Sequence, residues 1–117
     1  MSRRIFVYGT LQTGQRNHVF LRRAAWRIGW ATVTGELFQL PFFNFPLYRP
    51  SGSGLVHGEL YEVEEAALRI LDQREKWYKR KATTCVVLGN CEMECDIYEA
   101  LAYLPYWFAR NLHGVWP

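Results

Sequence analysis

At 117 residues, with 50% hydrophobic and 16% aromatic content, the chain can build one core without a disulfide or metal staple, which excludes disordered, collagen-like and coiled-coil classes. Fourteen Lys and Arg against 11 Asp and Glu give a net charge of +3, and Arg3-Arg4, Arg22-Arg23 and Lys79-Arg80-Lys81 are scattered rather than gathered, so the footprint of a nucleic-acid binder is missing. The longest apolar run, Ala100 to Ala109, is cut by Pro105 at about half of the roughly 20 residues a membrane span needs; the stretch behind Arg3-Arg4 stops at Gly9-Thr10, short of a secretion signal.

A single soluble domain over 1–117 is therefore expected. Ile5-Phe6-Val7-Tyr8 reads as a buried strand feeding a tight polar loop from Gly9 to Gly14. Gln15 to Trp26 contains no Gly or Pro, and the spacing of Val19, Arg22 or Arg23 and Trp26 predicts a short amphipathic helix. Ala31 to Leu40 reads as a strand containing Gly35, after which Pro41, Asn44 and Pro46 break regular structure. Arg49 to Gly54 is a surface turn.

Leu55 to Val63 is the next strand. Its Gly58-Glu59-Leu60-Tyr61 echoes Gly35-Glu36-Leu37-Phe38, so both strands are expected to bend at a glycine within a curved sheet or barrel, or to admit another backbone there. Glu64 to about Lys76 is the clearest helix: acids occupy the first turn, where the helix dipole favours them, and Ala67, Leu68 and Leu71 form an apolar face. Lys81 to Leu88, a turn at Gly89-Asn90, and Cys91 to Leu104 make a hairpin. Strands outnumber helices, which predicts an α+β fold with a coiled sheet or barrel and a few covering helices.

Cys85, Cys91 and Cys95 are odd in number and lack Cys-x-x-Cys spacing, and none of His18, His57 and His113 stands close to them, so no metal site is expected. Free thiols in a domain that makes its own core point to the cytoplasm. No Gly-x-x-x-x-Gly-Lys-[Ser/Thr] or Gly-x-Gly-x-x-Gly motif supports nucleotide binding.

Chemistry concentrates at two places. Continuing the helical stripe from Leu68 through Leu71 lands on Glu75, a carboxylate where the pattern would otherwise put an apolar residue. A poorly solvated glutamate has its charged form disfavoured, which suits a general acid or base working near neutrality. The competing reading is a solvated partner of Lys79 at i+4. The Gly9-Thr10 turn is the second place, where converging backbone N–H groups would form an anion-binding nest, the competing reading being a plain turn after the strand.

Phe6-Val7-Tyr8-Gly9-Thr10-Leu11, then Gly14-Gln15-x-Asn17-His18, then Val56-His57-Gly58-Glu59-Leu60-Tyr61-Glu62-Val63, then Leu71-Asp72-x-x-Glu75-x-x-Tyr78-x-Arg80 resembles, in that order, the gamma-glutamylcyclotransferase-like (AIG2-like) family, and within it the short gamma-glutamylamine-type branch. The resemblance implies a small mixed β-barrel with covering helices and no cofactor. It further implies that Glu75 is the catalytic acid/base and that the backbone of Tyr8, Gly9, Thr10 and Leu11 grips the substrate's α-carboxylate or γ-carbonyl.

The implied reaction closes a γ-glutamyl amide into 5-oxoproline and frees an amine or amino acid. Tyr103, on the strand expected to line the cavity, is a further candidate substrate contact. The step from Glu75 to Tyr78 is tighter than in many members, so Tyr78 is left out of the implied site. Asp72 and Arg80 are expected to order the chain around the helix, and His57 to be structural. The expected partner is a small γ-glutamyl substrate, with neither nucleic acid nor membrane; oligomeric state is open, with a monomer as the default. The alternative is a binding or regulatory module on the same fold, which would show an exposed Glu75 or a filled cavity.

Overall fold

The computed structural model describes residues 2–21, 25–41 and 43–117. Eight strands and one α-helix are found among them: β1 Ser2–Val7, β2 Ala25–Thr34, β3 Glu36–Gln39, β4 Leu47–Arg49, β5 Leu55–Glu64, α1 Glu65–Arg74, β6 Tyr78–Val87, β7 Cys91–Ala100 and β8 Arg110–Asn111. Five close a barrel in the order β1-β5-β2-β6-β7, and β4-β3-β8 form a small second sheet. The barrel is mixed, because β1 meets β7 in parallel through Ile5 opposite Asp96 and Phe6 opposite Ile97, whereas its other ladders are antiparallel. No helix among the described residues is long and apolar enough to cross a membrane.

β1 explains why its apolar run is continuous rather than alternating. Successive strand residues face opposite sides of a sheet, and here both sides are covered. Phe6 and Tyr8 join Val56, Leu60 and Ile97 inside the barrel, while Ile5 and Val7 pack with Val63, Leu68 and Leu71 beneath α1. Leu68 and Leu71 are the two fully buried leucines of the helix, worth about 2 kcal/mol apiece in removed apolar surface. That seam fixes the helix against the barrel wall and sets the height at which its C-terminal end arrives.

Four expectations are revised. The helix expected over Gln15 to Trp26 is a single 3₁₀ turn, His18–Phe20; Arg22 and Arg23 lie outside the described residues, and Trp26 is on β2 opposite Glu62. Pairing with β5 wins over helical spacing, and Val19 and Phe20 stay largely exposed. The strand expected over Ala31 to Leu40 is two strands in different sheets. Gly35, at φ +148° with a position where a Cβ would stand 2.6 Å from the Arg49 carbonyl oxygen, turns the chain out of the barrel. Gly58 instead stays within β5 and admits the Val7 carbonyl, 2.2 Å from where a Cβ would be. The helix stops at Arg74 rather than Lys76, because Tyr78 is already paired with Ala100 and the Leu101 N–H donates to the Trp77 carbonyl at 2.9 Å. For the same reason β7 ends at Ala100, not Leu104, and the chain turns before Pro105.

Candidate active site

A cavity of about 210 Å³ opens where three segments meet: the end of β1 with the loop after it, the end of α1, and the residues just before β4. Its floor is buried, built from Phe6, Val7, Leu71 and Tyr98. Tyr8, Gly9, Thr10 and Leu11 of the loop, Glu75 and Tyr78 after the helix, and Phe45 and Pro46 before β4 line its walls. Tyr78, left out on sequence spacing, is thus a wall residue. Tyr103 is not: it falls in the turn after β7, 78% exposed and away from the cavity lining.

The loop after β1 is held by side chains from several directions. Asn17 donates from Nδ2 to Thr10 Oγ1 and from its backbone to the Thr10 carbonyl, both at 2.9 Å. His18 Nδ1 donates to the Leu11 carbonyl at 2.9 Å. Further along, Glu59 accepts from the Thr13 N–H at 2.6 Å and from Thr13 Oγ1 at 3.0 Å, and pairs with Arg27 at 2.6 Å. With the loop fixed this way, the N–H groups of Gly9, Thr10 and Leu11 have no acceptor among the described residues and line a cavity that can supply one. The Tyr8 hydroxyl is already committed to the Tyr98 carbonyl at 2.5 Å, so this residue offers the site its position and ring rather than a free OH.

Gly9 works differently from the expected nest. Its φ is not positive; the first positive φ in the loop is at Gly14. What Gly9 supplies is room, since a Cβ there would lie 2.7 Å from Pro46 Cγ and 2.8 Å from Cδ. Pro46 cannot retreat freely, because its carbonyl accepts the Tyr78 hydroxyl. Gly9→Ala is therefore expected to push the Pro46 wall out of register and lower kcat/KM by about 10- to 100-fold, with a loss of roughly 1–3 kcal/mol in stability. Steady-state kinetics beside a melting curve checks both.

Glu75 caps the C-terminal end of α1 at φ −93°, ψ 71°, just outside helical geometry. It is half-buried and the only acid lining the cavity among the described residues. Burial pushes its carboxyl above the usual glutamate range; Arg74 opposes the shift and the negative charge of Asp72 adds to it. Asp72 has the opposite character. Burial works against its charge, but Arg80, bonding it at 2.9–3.2 Å, and the Tyr98 hydroxyl at 2.7 Å outweigh that and hold it below the usual range. Arg80 also reaches Asp96 at 2.6 Å, and Asp96 takes Arg3 at 3.1 Å, so the last turn of α1 is tied to β6, β7 and β1. Two carboxylates one turn apart thus have pKa values pushed in opposite directions by their surroundings.

His57 is exposed on β5, its backbone N–H bonded to the Gly114 carbonyl at 2.8 Å. No group of three His, Cys, Asp or Glu side chains among the described residues is arranged to hold a metal. Sequence reasoning missed Glu59, Asn17 and His18 as the residues that shape the loop. The signal for Glu59 is a carboxylate next to Leu60-Tyr61 on the strand Leu55 to Val63, a position that demands partners when buried.

Residues 5–115 match the sequence profile of the family described as gamma-glutamyl cyclotransferase, AIG2-like. The gamma-glutamylaminecyclotransferase of Mus musculus is 39% identical over 93% of this chain and 85% of its own length; that of Homo sapiens is 32% identical over 88% and 82%. The crystal structure of an AIG2-like protein from Mus musculus superposes with a TM-score of 0.83 at 31% identity, covering 97% of this chain and 87% of that one.

Proposed function

The chain belongs to the gamma-glutamyl cyclotransferase, AIG2-like family, an enzyme family acting on small γ-glutamyl substrates, and from that membership we propose that Glu75 moves the proton in closing a γ-glutamyl amide to 5-oxoproline. The observation that carries this reading is a half-buried carboxylate of raised pKa lining the same small cavity as a loop with unpartnered N–H groups.

The chemistry needs little beyond these parts. In a γ-glutamyl amide the α-nitrogen and the γ-carbonyl carbon are already in one molecule, so holding the ring-closing rotamer removes most of the entropic barrier. The Glu75 carboxylate takes one proton from the α-ammonium, and the nitrogen adds to the γ-carbonyl carbon. The resulting oxyanion is met by the N–H groups of Gly9 to Leu11. Collapse breaks the bond to the leaving nitrogen as protonated Glu75 returns its proton there. The ring nitrogen gives up its second proton to water, and the freed amine takes one from water, so charge balances.

A glutamate of ordinary pKa is a weak acid catalyst at neutral pH and a weak base; raising it serves both steps. A cytoplasmic setting is supported by Cys85, Cys91 and Cys95, all unpaired. The test is 5-oxoproline release from a panel of γ-glutamyl amino acids and γ-glutamyl amines, followed across pH. Release is expected, with kcat/KM rising with pH through an apparent pKa above the ordinary glutamate value near 4.5. Absence of release from every panel member by folded protein would overturn the reading.

A further inference from the structure

The motif Gly14-Gln15-x-Asn17-His18 lies between β1 and β2, and no step of the reaction uses it. Asn17 occupies the N-cap of the 3₁₀ turn His18–Phe20, where an asparagine ordinarily bonds a backbone N–H of its own turn. Here its side chain makes no such bond and is spent on Thr10 instead. The Asn17 N–H holds the Thr10 carbonyl and Asn17 Nδ2 donates to Thr10 Oγ1, both at 2.9 Å. The Asn17 carbonyl is tied in turn to the Phe20 N–H at 3.1 Å. Thr10 is thus gripped at backbone and side chain by one anchored residue, and both residues line the cavity.

The direction of that side-chain bond decides what the hydroxyl can do. A hydroxyl has one proton to give and lone pairs with which to accept. Asn17 Nδ2 occupies a lone pair, and no acceptor among the described residues takes the proton. The glutamyl group brings two anionic oxygen centres, the α-carboxylate and the oxyanion that develops on the γ-carbonyl. A carboxylate alone offers about four lone-pair sites, so the N–H groups of Gly9, Thr10 and Leu11 leave acceptors unserved. We propose that Asn17 is a positioning residue that frees the Thr10 hydroxyl to donate to an anionic oxygen of the glutamyl group, beside the N–H groups of the loop. The inference rests on the cyclotransferase reading for what fills the cavity.

Release of 5-oxoproline by the parent is measured first, on γ-glutamyl amino acids and γ-glutamyl amines, lysine joined through its side-chain nitrogen included. On the best of these substrates kcat and KM are then taken for Thr10→Val, Thr10→Ser, Asn17→Asp and the Thr10→Val, Asn17→Asp pair. Thr10→Val removes the proton and keeps the branched shape, and is expected to lower kcat/KM by about 10²-fold, the usual loss for one such donor; Thr10→Ser should restore most of it. Asn17→Asp should cost a similar factor, because a carboxylate only accepts and draws the Thr10 proton to itself. In the Thr10→Val background Asn17→Asp should add no more than about twofold, its target being gone, whereas a charge or folding effect of the aspartate would add in full. A loss confined to kcat assigns the hydroxyl to the oxyanion, and a rise in KM assigns it to the α-carboxylate.

A parent that releases 5-oxoproline from no member of the panel overturns the cyclotransferase reading and this inference with it. With the parent active, Thr10→Val at the parent's rate or additive losses in the pair overturn the inference alone. So does Asn17→Asp as fast as the parent, which would mean that the hydroxyl already gives its proton to residue 17.

Discussion

Glu75→Gln is expected to lower kcat by about 10²- to 10⁴-fold, the usual contribution of a positioned acid/base, with KM nearly unchanged. Glutamine keeps the shape and the hydrogen-bonding reach of the side chain but cannot exchange a proton. Glu75→Asp keeps the proton and withdraws it by one methylene, so its rate should fall between the two.

The same substitution makes a second, independent prediction about stability. Because folding raises the Glu75 pKa, the folded protein binds this proton more tightly than the unfolded chain does. The carboxylate therefore costs stability as pH rises from its ordinary value near 4.5 through the raised one. Glu75→Gln should melt higher than the parent at neutral pH, and the advantage should vanish below about pH 4, where glutamate is neutral in both states. Turnover unchanged in the glutamine variant would remove Glu75 from the mechanism. A melting temperature unchanged at pH 7 would mean that the carboxyl is solvated after all.

Glu59→Ala is expected to cost about 2–3 kcal/mol, on the order of 10 °C in Tm for a domain of this size. The side chain is 1% exposed and its oxygens serve Arg27 and the Thr13 N–H and hydroxyl. Removing it strands the amide and one charge. Arg27, 40% exposed, can turn to water, which keeps the loss below that of a fully enclosed pair.

Burial acts to raise the Glu59 carboxyl, but Arg27 and Thr13 outweigh it and hold the pKa down. Its contribution is therefore present above the ordinary value near 4.5 and disappears as pH falls through the lowered one. Thermal melts from pH 7 down to pH 3 should show parent and variant converging on the acid side. Activity should fall along with stability, because Thr13 is the far anchor of the loop that carries Gly9, Thr10 and Leu11.

The parts of this molecule that announce themselves in the sequence are those set by a local rule. The run Ile5 to Tyr8, the stripe Leu68 and Leu71 with Glu75 as the next position along it, and the hairpin around Gly89-Asn90 each encode their element within a dozen residues. Glu75 was legible because it interrupts a pattern. The misreadings share a cause. Gln15 to Trp26 has helical spacing, but Ala25 and Trp26 are claimed by a strand partner, β5, more than thirty residues away in the chain. Tyr103 lies three residues past the end of β7, which pairing with β6 sets at Ala100. Gly9 reads in sequence as a conformational residue and is instead a spatial one, which only the approach of Pro46 from the loop before β4 reveals. Spacing argues against Tyr78, yet the residue, paired opposite Ala100, lines the cavity.

The parallel seam between β1 and β7 has a consequence for how the molecule comes into being. Every other barrel ladder joins strands that are complete by the time β6 has been made, or nearest neighbours such as β6 and β7. The seam instead brings Ile5 to Asp96 and Phe6 to Ile97, so the first strand must wait for almost the last. Contacts this distant in sequence are entropically the slowest to form. Arg3 with Asp96 and Tyr8 with Tyr98 button the same seam, and Tyr98 is also the floor of the cavity. The cavity beside Glu75 therefore receives its Tyr98 floor in the same step that shuts the barrel.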